Sequence, residues 1–208
     1  MRVSARQALS VGTLLVTLCC HSVQAQQVTT AAAKPAVAID TSPYTTKLAE
    51  AIDQRGAVVD YQSHDLGGMH NDDVTLSAVT VQIPGQKAQT IKGFMLSIHD
   101  LHNEETTNGS RYLDLDEAVS LSKAIPVIID SAKKSQGKEV SYRELSFTTN
   151  AMVTVGFRQN GKDIRAFARV GPSGSPHCDM NTDSDLLSLN SLLDKGIQYL
   201  NQPPPQGQ

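Results

Sequence analysis

The chain has no tryptophan and only three cysteines among its 208 residues. Carbohydrate sites often present indole rings as stacking platforms, so the missing tryptophan weakens that class without closing it. Cys19 and Cys20 fall in the opening segment, which leaves Cys178 alone in the body of the chain. A disulfide framework within the body is thereby excluded, although the compartment inferred below would permit one. A lone thiol reads as a buried small hydrophobe, as half of an intermolecular bridge, or as a reactive group. The first is the commonest fate of an unpaired cysteine.

Basic excess is also lacking. The formal charge is −3, and loss of the opening segment would take Arg2 and Arg6 with it. The resulting acidic balance argues against nucleic acid and anionic membrane surfaces as partners. No apolar run reaches the roughly 20 residues of a spanning helix, so no transmembrane segment is expected in the mature chain. G-x-S-x-G, Walker A, G-x-G-x-x-G and H-E-x-x-H are all missing, and with them the sequence signatures of several large enzyme classes. Asn108-Gly109-Ser110 fits a glycosylation sequon, which carries meaning only in a eukaryotic secretory route.

What is present begins with an export signal. Arg2 and Arg6 form a basic start, residues 9–20 a short apolar core, and Ser22-Val23-Gln24-Ala25 a cleavage site with small residues at −3 and −1. Cleavage after Ala25 is expected, giving a periplasmic or secreted protein. A lipoprotein reading through Cys19 or Cys20 ranks second, because Leu18 and Cys19 are not the small residue usual before a lipidated cysteine. Residues 26–43, polar and rich in Ala and Thr, read as a flexible linker, and 202–208, with Pro203-Pro204-Pro205, as a disordered tail. Residues 44–201 between them form one α+β domain.

Within that domain the periodicities predict antiparallel β-meanders, each followed by a helix packed on one sheet face. Residues 45–55 suggest a short helix and 57–61 a first strand, followed by a loop rich in His, Gly and Asp. Residues 74–83 alternate as a strand, and 90–98 place Phe94, Leu96 and Ile98 on one face. Residues 99–112 read as a long polar loop. Residues 114–134 predict a helix with Asp114 as N-cap, Glu117 reaching back to it, and an apolar stripe of Ala118, Leu121, Ile125, Ile128 and Ala132. Pro126 is expected to kink that helix or split it, and Gly137 to end it. Strands are then expected at 140–148, 151–157 and 164–170, with Asn160-Gly161 as a type I′ hairpin turn and Arg143, Thr154, Arg165 and Arg169 on the exposed face. A Pro/Gly-rich loop leads to a last helix at 184–201, capped by Thr182 or Ser184, with its stripe at Leu186, Leu189, Leu193, Ile197 and Leu200.

Glu117 to Ile125 (EAVSLSKAI) aligns without gaps on Asp185 to Leu193 (DLLSLNSLL). One reading is a tandem β-β-β-α duplication over residues 57–136 and 139–201. The other is convergence, since any two amphipathic helices packing on sheets share such a pattern.

Three polar constellations bear on chemistry. His99, Asp100 and His102 precede the first long helix. His177, Cys178 and Asp179 precede the second, where a thiolate beside an imidazole near a helix N-terminus would be activated. His64, Asp65, His70, Asp72 and Asp73 lie near the start, without the order of an EF-hand loop. Taken singly, each also reads as solvated loop residues. If the halves are equivalent, His99 and His102 with His177 and Cys178 would offer a set of zinc-type N and S ligands. Otherwise no cofactor is expected. The leading functional reading is an exported, non-enzymatic binding module for a protein or small-molecule partner. The alternative is a metal- or thiol-dependent enzyme using these loops, and a third reading is a protein that dimerises through its sheet edges.

Overall fold

Strict alternation is the strongest local signal in the chain, and it builds two sheets. A computed structural model describes residues 45–70, 73–85, 90–100 and 107–203. The expected export signal, the linker and residues 204–208 of the tail lie outside the described residues. Strands β1 (Asp60–Met69), β2 (Val74–Gln82), β3 (Ile91–Asp100) and β4 (Thr107–Asp114) pair in that order, all antiparallel, and helix α2 (Leu115–Ser135) follows; helix α1 (Lys47–Ile52) precedes them. Strands β5 (Val140–Thr148), β6 (Val153–Gly161), β7 (Asp163–Val170) and β8 (His177–Met180) repeat the meander, and helix α3 (Ser184–Asn201) closes it. The order of four strands and a helix thus occurs twice, in an α+β fold.

Each half carries one strand more than its periodicity predicts. The polar stretch after β3 returns as β4, where Ser97 faces Ser110 at 2.8 Å and His99 faces Asn108 at 3.1 Å. Cross-strand polar pairs satisfy a ladder as well as apolar ones do, but they leave no apolar alternation to read. The first strand also runs further than expected, through HDLGGM. A bulge between Asp65 and Gly67 absorbs the glycines: Gly67 takes φ +117° and its N–H donates to the Asp65 carboxylate at 3.0 Å. The β6–β7 hairpin forms, but Gly161 is its first central residue at φ +61°, which is the II′ pattern rather than I′.

Helix α2 continues through Pro126 as one element, so of the expected kink or split the split does not occur. Pro126 lies on the solvent side, so the Ser122 carbonyl that loses its partner is on the face least dependent on packing, while Ile125, Ile128 and Ile129 on both sides of it are buried. Gly137 ends the helix region at φ +75°. Neither Thr182 nor Ser184 caps α3; its N-cap position is Asp183 and Ser184 is already helical.

The two stripes face a common core. Leu121, Ile125 and Ile128 of α2 and Leu186, Leu189 and Leu193 of α3 share one buried cluster with Leu76, Phe94 and Leu96 of the first sheet and Val153, Val155 and Phe157 of the second. Helix α3 reaches across to the first half. Its Gly196 lies against Phe94 and Leu66, Tyr199 stacks on His64 with ring centroids 4.3 Å apart, and Lys92 donates to the Leu200 carbonyl. Helix α2 reaches the other way. Arg143 of β5 donates to Ser131 and Ser135 and lies over the Phe157 ring at 5.5 Å, so this arginine belongs to the helix side of its sheet and not to the exposed face.

The opposite face of the first sheet is covered at one end by α1. Leu48 and Ala51 pack on Val79 and Val81 there, with Met95 and Tyr112 at the border. Asp114 forms the expected capping box with Glu117 at the start of α2, and its carboxylate also accepts the N–H groups of Lys47 and Leu48, fixing the start of α1. Burial, then the neighbouring Tyr61 hydroxyl and Asp53, raise the Tyr112 pKa from 10.0 to about 12. Because the fold favours the neutral phenol, this contribution to stability is fully present below pH 10 and is lost as pH rises through about 12. An ultraviolet titration of the five tyrosines should show one ionising last, and Tyr61→Phe should move that late step towards, but not to, the ordinary value. Joint titration of all the tyrosines at their ordinary value would contradict the placement of α1 over this face.

Candidate functional site

The turn between β1 and β2 begins at His70 and closes at Asp73, whose N–H donates to the His70 carbonyl at 3.2 Å. His70 sits at φ +53°, a left-handed conformation that histidine tolerates better than most residues and that tight turns require. The Asp73 carbonyl in turn accepts the His99 N–H at 2.7 Å, which pins the turn to β3. Both ends of the turn are therefore held by backbone bonds, and their side chains are held with them.

Cys178 lies on β8, and successive residues of a strand point to opposite faces. His177 goes outwards and is exposed, whereas Cys178 goes inwards and is 1% exposed. A ring nitrogen of His70, a carboxylate oxygen of Asp73 and the Cys178 sulfur all lie within 4.8 Å of one another. Asp73 is 7% exposed, while the His70 side chain, at 26%, opens one side of the group to solvent. The Cys178 thiol also lies 3.6 Å from the Asp179 carbonyl.

A second carboxylate stands behind the histidine. Asp185, in the first turn of α3, holds the His70 Nδ1 at 3.0 Å and accepts the Asn181 N–H at 2.8 Å through the same oxygen. The aligned residue of the first half behaves alike. Glu117 accepts the Asp114 N–H at 3.0 Å and, across the domain, the Ala151 N–H at 3.0 Å. At each helix start, then, one acid binds a backbone N–H just ahead of the helix and one group of the other half. Only the Asp185 version meets an imidazole.

The sequence-derived candidates distribute as follows. His99 turns its ring to Asn108, and His102 lies outside the described residues. His177 and Cys178 point to opposite faces of β8, so the set His99, His102, His177 and Cys178 is not assembled as a group by the described residues; Cys178 instead meets His70 and Asp73. From the third constellation, Asp72 is outside the described residues, His64 is against Tyr199, and Asp65 is bound to the Gly67 amide. Asp185 was not singled out by sequence reasoning; the one signal was its alignment with Glu117.

Comparison of the chain with protein-family models, with curated proteins and with solved structures finds no match. Among the described residues no helix is long and apolar enough to cross a membrane.

A second feature lies on the outward face of the second sheet. A cleft of about 180 Å³ is lined by Glu144, Arg158, Phe167, Arg169, Gly174, Ser175 and His177. Arg158 pairs with Asp179 beside it, and Glu144 accepts the Tyr142 hydroxyl at 2.7 Å. That hydrogen bond raises the Tyr142 pKa. Arg169 Nε and Asp179 Oδ1 are both buried without a hydrogen-bond partner among the described residues. A buried polar atom left unmatched costs on the order of 1–3 kcal/mol.

Proposed function

We propose that this chain is an exported, non-enzymatic binding module that takes an acidic group of a peptide or protein partner in the cleft on the outward face of its second sheet. The observation that carries the reading is the Arg169 guanidinium, whose buried Nε has no acceptor among the described residues, at the wall of a cleft shared with Arg158, His177 and Glu144. A carboxylate is planar and accepts two parallel N–H bonds, which a guanidinium fork is shaped to supply. The second sheet offers this face because α2 packs on its other side, where Arg143 donates to Ser131 and Ser135, whereas the first sheet has α1 across part of its outer face. Export rests on the basic, apolar and small-residue order of the first 25 residues.

The alternative is a metal- or thiol-dependent enzyme, and its thiol form needs the nucleophile to meet a substrate. Cys178 at 1% exposure is placed for packing or coordination instead. The binding reading is checked by titrating a Glu-rich hexapeptide into the labelled protein and following backbone amide shifts. Shifts should centre on Arg158, Arg169 and Gly174, weaken with salt, and require about 10–100-fold more peptide in Arg169→Gln, as expected for loss of a charged hydrogen bond. Unchanged binding in that variant, or shifts that avoid the cleft, would reject it.

A further inference from the structure

We propose that His70, Asp73 and Cys178 form a three-ligand site for a zinc-class transition-metal ion, with Asp185 as the positioning residue behind His70. The site does not depend on the cleft proposed above; the two share no residue.

The donor set selects the metal. Imidazole, carboxylate and thiolate together suit a borderline ion such as Zn²⁺, whereas Mg²⁺ and Ca²⁺ prefer all-oxygen shells. The distances agree with a site that closes by small side-chain movements. Bonds of about 2.0–2.3 Å in a tetrahedron put ligand atoms about 3.5 Å apart. The three atoms here are within 4.8 Å of one another, so side-chain movements of about 1 Å or less bring them to that spacing.

The surroundings match what a metal-bound histidine needs. In the tautomer whose Nδ1–H is donated to Asp185, the lone pair sits on Nε2, which is then the nitrogen available to the ion. Asp185 is itself fixed by the Asn181 N–H, and Asp73 by backbone bonds at both its N–H and its carbonyl. Burial is graded in the useful direction. The sulfur and the Asp73 carboxylate lie in the interior, and His70 is partly open, which provides an entry path and leaves the fourth position to water. Coordination forms the metal–sulfur bond as the Cys178 thiol releases its proton to the buffer; no electrons change hands.

Placement gives the ion its role. His70 and Asp73 come from the first half, and Cys178, on β8, with Asp185, at the start of α3, comes from the second. An ion bound by all three ligands would tie the β1–β2 turn to the edge strand of the other sheet. Binding that requires the folded arrangement adds directly to folded-state stability.

The test uses the whole chain, stripped with a chelator and titrated with Co²⁺ and then Zn²⁺. One equivalent of Co²⁺ should produce a thiolate-to-metal charge-transfer band and the intense visible bands of a four-coordinate ion, both removed by Zn²⁺. Free Zn²⁺ at about a hundred times its dissociation constant should raise the melting temperature by about 5–10 °C. In a background carrying Cys19→Ser and Cys20→Ser, Cys178→Ser should lose the charge-transfer band. Because that substitution is in the core, His70→Gln provides a second variant at a more open position, and it should lose high-affinity binding while keeping its circular dichroism. Asp185→Asn should keep the one-to-one stoichiometry and the charge-transfer band while weakening affinity about 10–100-fold, which a merely structural acid would not do. A folded protein that gives no charge-transfer band, or metal binding unaltered by His70→Gln and Cys178→Ser, overturns the proposal.

Discussion

Replacing Gly196 with valine is expected to cost about 3 kcal/mol of folding stability, the upper part of the range for overpacking a well-filled core. A Cβ at this position would stand 2.3 Å from Phe94 Cε1 and 2.5 Å from Leu66 Cδ1. The leucine methyl can yield, but the phenylalanine ring is itself fully buried and has nowhere to turn. Glycine inside a helix normally costs about 1 kcal/mol relative to alanine, so its presence here trades helix propensity for close approach. Gly196→Ala recovers that propensity and still meets the ring, so a loss of about 1–2 kcal/mol is expected for it. Urea unfolding of both variants measures this. An alanine variant more stable than the parent would mean that α3 stands further from the first sheet than described.

The second large effect is expected at Glu117, which is 9% exposed and satisfies two backbone N–H groups, one of them in the other half. Glu117→Ala leaves the buried Ala151 donor unmatched and should destabilise by about 2–3 kcal/mol. Glu117→Gln is the sharper test. Its amide oxygen can serve one N–H, but its NH₂ then faces the other donor, so most of the loss should persist. Differential scanning calorimetry at neutral pH separates the outcomes. A glutamine variant melting with the parent would show that a single acceptor suffices and that the bridge to Ala151 contributes little.

The helices were legible because an apolar stripe at period 3.6 is a local property. Ala118, Leu121, Ile125, Ile128 and Ala132 are all buried as their spacing predicts, as are Leu186, Leu189, Leu193 and Leu200. Phe94, Leu96 and Ile98 likewise share a buried face. The edge strands β4 and β8 were not legible, since they pair through polar or mixed residues and present no alternation. Pro126 does not split the helix. Its penalty is real in an isolated helix, but buried isoleucines on both sides keep one helix continuous.

The candidate site was legible only in fragments. His70 and Asp73 stood in one polar group and Cys178 in another, and from sequence each group by itself reads as an ordinary solvated turn. Their meeting depends on the second half folding back so that β8 and α3 reach the β1–β2 turn, which involves separations of more than 100 residues along the chain.

By itself, then, the sequence determined the export signal as an expectation, the absence of a disulfide framework in the body, the α+β alternation and the faces of its helices and central strands. These follow from composition and from periods of a few residues. The tertiary structure alone decided that α3 crosses onto the first sheet, that His177 and Cys178 part to opposite sides of one short strand, and that Cys178 joins His70, Asp73 and Asp185. The reason is physical: a shared core is satisfied by any arrangement that buries both stripes, and which remote side chains then become neighbours is set by how the sheets and helices pack, not by any local pattern.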